Sequence, residues 1–235
     1  MVIWSELCYI GITMRKMPLA KGEVYHVYTR SIANYQIFNN ESEFERMRRL
    51  IKYYKINTDV RLSSFLDLIW VQKEGFNNAF MALSKDKENN VQIIAYCLMP
   101  THIHLVLKQL VEDGISDYMG NILNGFTRFF NTTRKRKGPL WESRFKSALV
   151  KNNVQLKHLV RYIHLNPTTA YLVTRPEDWL YSSYREYLGK INASQGICQF
   201  NDILDIKPLL YRKFVNDQIA YQRELAKIKE LILES

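Results

Sequence analysis

Residues 91–109 read VQIIAYCLMPTHIHLVLKQ. Two apolar runs of strand length meet at Pro100 and Thr101. Proline fixes its own φ and donates no ladder hydrogen bond, so the chain turns there. Val91–Met99 reads as a buried strand and His102–Gln109 as its hairpin partner at the centre of a sheet. Side chains alternate along a strand, which puts His102, His104 and Val106 on one side. Ile103, Leu105 and Leu107 take the other side and suit a face packed under helices. The two imidazoles have two readings: core histidines satisfied by hydrogen bonds, or two ligands of one metal ion. A pKa near 6.5 leaves imidazole mostly neutral, and a good ligand, at pH 7.

The neighbouring segments complete a pattern. EVYHVYTR, 23–30, is rich in Val and Tyr and reads as a strand. ESEFERMRRLIKYYK follows with Phe44, Met47, Leu50, Ile51 and Tyr54 at helical spacing, and Asn40 with Glu43 reads as its N-terminal cap. Residues 57–90 are less regular, with one helical stretch in SSFLDLIWVQKE and a polar loop, SKDKENN. After the hairpin, Met119, Ile122, Leu123, Phe126 and Phe130 share a helical face. RFKSALVKN alternates like a strand. VQLKHLVRYIHLNP carries Leu156, Leu159, Val160 and Ile163 at the positions of a packed helix, and Pro167 suggests where it stops. The order β-α-β-β-α-β, then α, matches a split βαβ: an α+β, ferredoxin-like antiparallel sheet with helices on one face. Residues from Ile203 onward read as one or two polar helices, a C-terminal helical extension.

Charge narrows the partner class. Lys and Arg number 33 against 23 Asp and Glu, an excess of +10 that favours anionic partners, nucleic acid above all. The excess is clustered in TRFFNTTRKRKGPLWESRFK, 127–146, where aromatics interleave with cations. Cations neutralise phosphates, and exposed aromatic faces stack on unpaired bases. The alternative is a solvated basic loop above core aromatics, and helical spacing favours that for Phe126, Phe129 and Phe130. Three widely spaced cysteines, Cys8, Cys97 and Cys198, fit a reducing cytoplasm and suggest neither a disulfide framework nor a cysteine zinc site. No apolar run approaches the ~18–20 residues that cross a bilayer, and the first residues read as neither signal peptide nor anchor.

A metal site needs a third ligand and a group to act. Tyr162 and Asn166 lie four residues apart on one side of the helix before Pro167, on the shoulder of its packed face. A tyrosine hydroxyl is a candidate nucleophile and an asparagine carbonyl a candidate ligand. His164 falls on the opposite shoulder and Arg161 points outward.

In order and spacing, AYCLMPTHIHLVL, LWESRFK, RYIHLNP and WLYSSYREYLG resemble the REP-associated tyrosine transposases. These form an IS200-like, single-tyrosine branch of the HUH (His-hydrophobic-His) endonucleases. MPLAKGEVYHVYTR resembles the family's usual start, and the resemblance runs from about Met17 to Gly189. It divides the chain into an N-terminal extension, 1–16, a transposase domain, 17–189, with an insertion at 57–90, and a helical appendage, 190–235. It implies the HUH endonuclease fold, His102, His104 and Asn166 as ligands of Mg2+ or Mn2+, and Tyr162 as nucleophile. Arg134, Lys135, Arg136, Lys137 and Arg144 become candidate DNA contacts. The chain departs from the family in having Thr101 where Asn is frequent and NPTTAYLV where NPVRAGLV is frequent. Neither change removes a catalytic group, but the missing cation near Thr169 bears on DNA contacts.

The activity so implied is metal-dependent cleavage and strand transfer on single-stranded DNA beside a hairpin or palindromic repeat, through a 5′-phosphotyrosine. The protein would act as a monomer or homodimer, in the cytoplasm with the nucleoid and without a membrane. Two other readings stand beside it: a non-catalytic hairpin-binding protein on the same fold, and a metallohydrolase that does not act on nucleic acid.

Overall fold

In a computed structural model, residues 18–192 and 194–234 are described. Four strands form one antiparallel sheet: β1 (Val24–Arg30), β2 (Val91–Met99), β3 (His102–Gln109) and β4 (Lys146–Leu149), in the order β2-β3-β1-β4. β1 and β2 are parallel with β3 between them, which is the split βαβ of a ferredoxin-like sheet. The hairpin forms as its sequence dictates: Met99 pairs with His102 across Pro100 and Thr101, and all nine residues of β2 are buried. A bulge at Ile94 lets Ile94 and Ala95 pack in the same core cluster, while Ile93 packs in the other.

The sheet is covered on both faces, not one. Helices α1 (Glu41–Tyr53) and the later α5 (Gly114–Thr133) pack under Val27, Ile103, Leu105 and Leu107. Helix α6 (Asn153–Thr169) lies on the opposite face over Ala95, Cys97, Met99 and Val106. Both sides of β2 are apolar, so each needs its own cover. β1 alternates half-buried and buried positions, because α6 leaves its His26–Tyr28–Arg30 side partly open.

Caps fix the helix starts. Asn40 accepts from Glu43 N–H at the head of α1, and Asn152 accepts from Gln155 N–H at the head of α6. Pro167 does not end α6, which runs to Thr169. In the last turn a proline forfeits only one helical donor, and Ala170 N–H still reaches Asn166 O at 2.9 Å. The helical stretch within residues 57–90 is broken into α2 (Leu62–Leu66), α3 (Ile69–Glu74) and α4 (Phe76–Ser84), with Gly75 at φ 76° between the last two. Phe65 and Phe80 from these helices pack against Tyr53 of α1.

Residues 181–183 run along the outer edge of β2, where Leu98 N–H donates to Tyr181 O and Ser183 N–H to Tyr96 O, both at 2.9 Å. That covers a strand edge which would otherwise pair with another chain. The short α7 (Tyr184–Tyr187) follows, then α8 (Pro208–Asn216) and α9 (Ile219–Glu234). Tyr211 and Val215 of α8 are buried in the α6 core, and Arg223 of α9 donates to Thr168 O at 2.9 Å. Residues 1–17 lie outside the described residues. Among the described residues, no helix is long and apolar enough to cross a membrane.

Candidate functional site

The β1–β3 register gathers one polar patch. Arg30 pairs with His102, Tyr28 with His104 and His26 with Val106, so all share a side of the sheet. β4 adds Lys146 opposite Tyr28. From α6, Tyr162 reaches this patch: its ring stands at 82° to that of His104, with centroids 6.3 Å apart. Tyr162 is 37% exposed, while the tyrosines at 184, 187 and 211 are buried. A phenol that meets a polymer must be reachable, and this one is.

The two strand histidines stand 5.1 Å apart at 88°. Each is engaged through Nδ1: that of His104 lies 3.0 Å from His26 Nε2, and that of His102 lies 3.0 Å from Thr101 Oγ1. Nε2 of both rings is thereby left for other chemistry, the arrangement by which ligand histidines are usually oriented. Burial pushes His102 down to about 4, helped by Arg30, and His26 down to about 4. Burial, then the neighbouring His26, His102 and Arg30, holds His104 well below its usual value. All three rings are neutral at pH 7, the form that carries a ligating lone pair.

Asn166 lies one turn beyond Tyr162, is 8% exposed, and has a buried Nδ2 with no hydrogen-bond partner. An unsatisfied buried amide is costly. Amide N and O exchange by rotation about the last side-chain bond, so the same side chain can offer a carbonyl oxygen as a ligand. Two Nδ1-anchored imidazoles with an unsatisfied amide fit a divalent cation that accepts mixed nitrogen and oxygen ligands. Among the described residues, no group of three or more His, Cys, Asp or Glu side chains is arranged to hold a metal. The candidate set is two imidazoles and an amide.

A family model described as transposase IS200 like matches residues 73–166, a span that holds the hairpin, both strand histidines, Tyr162 and Asn166. A Haemophilus influenzae protein classed with the REP-associated tyrosine transposases is 32% identical over 104 residues, which cover 40% of this chain and 58% of that protein. Over residues 73–166 the chain is similar to the IS200-like transposases. An Escherichia coli REP-associated tyrosine transposase is 22% identical over 132 residues, 56% of this chain and 74% of that one. The chain thus spans about three fifths to three quarters of the length of these curated relatives. A solved REP-associated tyrosine transposase bound to a REP hairpin shares the fold, with a TM-score of 0.50 at 16% identity over 84% of this chain and 96% of that one.

Within this fold the basic segment divides in two. Arg134 is tied inward: its guanidinium meets Glu43, which is 2% exposed, at 2.7 and 2.9 Å. Arg136 folds back on its own loop, donating to Pro139 O at 2.7 Å and to Asn131 Oδ1 at 3.1 Å. Lys135, Lys137 and Arg144 are exposed. Phe126 and Phe130 are core, as helical spacing suggests, while Trp141 and Phe145 are partly buried against it. Sequence reading missed His26, Tyr28, Arg30 and Lys146. The signal was present in VYHVYTR, whose alternation places the first three together; Lys146 needed the β1–β4 pairing. His164 is a core residue, held between Tyr211 Oη and Ser183 Oγ at 2.8 Å each.

Proposed function

We propose that this chain is an IS200-like transposase that cleaves and rejoins single-stranded DNA beside a hairpin, with Tyr162 as nucleophile. The observation that carries the reading is the exposed Tyr162 ring standing edge-on to His104 at 6.3 Å. It couples a reachable hydroxyl to a neutral, oriented imidazole pair on a basic, half-open face. The REP-hairpin complex of a protein with this fold supports the choice of DNA hairpin as partner.

Tyr162 Oη attacks the phosphorus. An Oη–P bond forms as the phenol gives up its proton to solvent, the P–O3′ bond breaks, and the departing oxygen takes a proton from solvent to become a free 3′-OH. The 5′-phosphotyrosine retains the phosphodiester's energy, so a second 3′-OH can displace Tyr162 and complete strand transfer without a nucleotide cofactor. His102, His104 and Asn166 would hold Mg2+ or Mn2+, which when bound polarises the phosphate and stabilises developing charge. Thr101 Oγ1, 3.0 Å from His102 Nδ1, orients that imidazole. Arg30 and Lys146, on the same side of the sheet, with Lys135, Lys137 and Arg144, supply the positive field for the strand.

The test is cleavage of an end-labelled hairpin with a single-stranded flank, with and without Mn2+. His102→Ala and His104→Ala should each lower metal-dependent cleavage at least about a hundredfold while hairpin binding persists. Cleavage undiminished by chelator would sink the metal role. Tight binding with no cleavage by the unaltered protein would favour the non-catalytic reading.

A further inference from the structure

His26 takes no part in the cleavage chemistry above, yet it makes a defined contact within the site. Its Nε2 lies 3.0 Å from His104 Nδ1, with the rings 18° from parallel and centroids 5.2 Å apart. Tyr28 packs against both rings, its centroid 5.0 Å from that of His26 and 6.0 Å from that of His104. At 3.0 Å, two neutral imidazole nitrogens share a single proton: two N–H groups would repel, and so would two bare lone pairs. The structure therefore permits two arrangements, and the chemistry of His104 selects one. A ring that ligates through Nε2 keeps its lone pair there and carries its proton on Nδ1. His104 Nδ1–H then donates to His26 Nε2, and the proton of His26 resides on its own Nδ1.

We propose that His26 is a positioning residue that holds His104 in the Nδ1–H tautomer, leaving Nε2 as the ligating atom. This rests on the metal-assisted reading. An imidazole in this role differs from the carboxylate that often orients a ligand histidine. A carboxylate would add negative charge where an anionic strand must approach, whereas neutral His26 orients the ring without it. The alternation of β1 makes the placement rigid: His26 is carried on a central strand between β3 and β4, not on a loop.

The experiment uses the full chain and Mn2+ alone. Binding is measured for the unaltered protein, His104→Ala, His26→Phe and His26→Gln, and 15N spectra of the unaltered protein report which nitrogen of His104 bears hydrogen. Glutamine retains an acceptor near the Nε2 position and phenylalanine retains only bulk. His104→Ala should abolish Mn2+ binding at the site, His26→Phe should weaken it 10–100-fold, and His26→Gln should stay within about threefold. Far-ultraviolet circular dichroism should be equal in all four, so that a change in Mn2+ binding reports the site and not the fold. If His104→Ala binds no Mn2+ but His26→Phe binds it like the unaltered protein, the positioning role is wrong and the metal site stands. If His104→Ala binds Mn2+ normally, the metal reading fails and this role falls with it. Hydrogen on Nε2 of His104 in the unaltered protein also overturns the proposal, whether or not the phenylalanine variant folds.

Discussion

His164 and His104 show how little the residue type decides. His104 has one nitrogen engaged and an exposed phenol beside it. His164, two residues from that phenol, has both nitrogens engaged and no exposure. Burial lowers His164 to about 3, so it stays neutral in the folded protein while the unfolded chain takes up a proton below about 6.5. A depressed folded pKa makes stability rise with pH across this window and fall as pH drops from about 6.5 toward 3. Between pH 7 and 5, this group alone should remove about 2 kcal/mol. Urea unfolding at both pH values should show His164→Gln losing correspondingly less than the unaltered protein. Equal losses would mean that His164 is protonated in the folded state.

Helices show where local pattern suffices and where it does not. The cap at Asn40 and the packed faces of α1, α5 and α6 follow from spacing within a few residues. The stop at Pro167 did not hold, because a proline in the last turn costs a single donor. The Glu43–Arg134 pair joins residues 91 positions apart, so nothing local announces it. It fastens α1 to the end of α5 and leaves the Arg134 side chain 40% exposed. Two glycines of α5 test the packing in opposite directions. A Cβ at Gly114 would lie 2.4 Å from the Asn90 carbonyl oxygen, whereas one at Gly120 meets nothing within 4 Å. Gly114→Ala should cost about 1–3 kcal/mol through forced backbone movement. Gly120→Ala should stabilise by about 0.5–1 kcal/mol through helix propensity. Thermal melting of both checks the pair; a neutral Gly114→Ala would show that the α5 entrance is looser than described.

At the scale of the molecule, the sheet was readable because a hairpin with a proline turn and two apolar faces has few ways to fold. The strand order is completed on one side of that hairpin, where β1 pairs with β3 and β4 with β1. The second helical layer was not foreseen, although both sides of β2 are apolar and the bulge at Ile94 feeds that layer. Of the candidate site, the two strand histidines and the Tyr162–Asn166 side of α6 were legible from period two and period 3.6. The contribution of β1 is not legible locally: alternation puts His26, Tyr28 and Arg30 on one side, but only the pairing with β3 makes it the side of His102 and His104. The C-terminal helices read as a polar appendage because the partners of Tyr211 lie far away in the chain, at His164 of α6 and at Tyr184 and Tyr187 of α7. The central claim is that Tyr162 forms the covalent bond to DNA. Its most direct test is to trap protein on a single-stranded substrate with a hairpin, digest the adduct and map it by mass spectrometry. The account predicts a 5′-phosphate on Tyr162, a free 3′-OH on the released strand, and no adduct from Tyr162→Phe; an adduct on another residue, or cleavage by Tyr162→Phe at the unaltered rate, would contradict it.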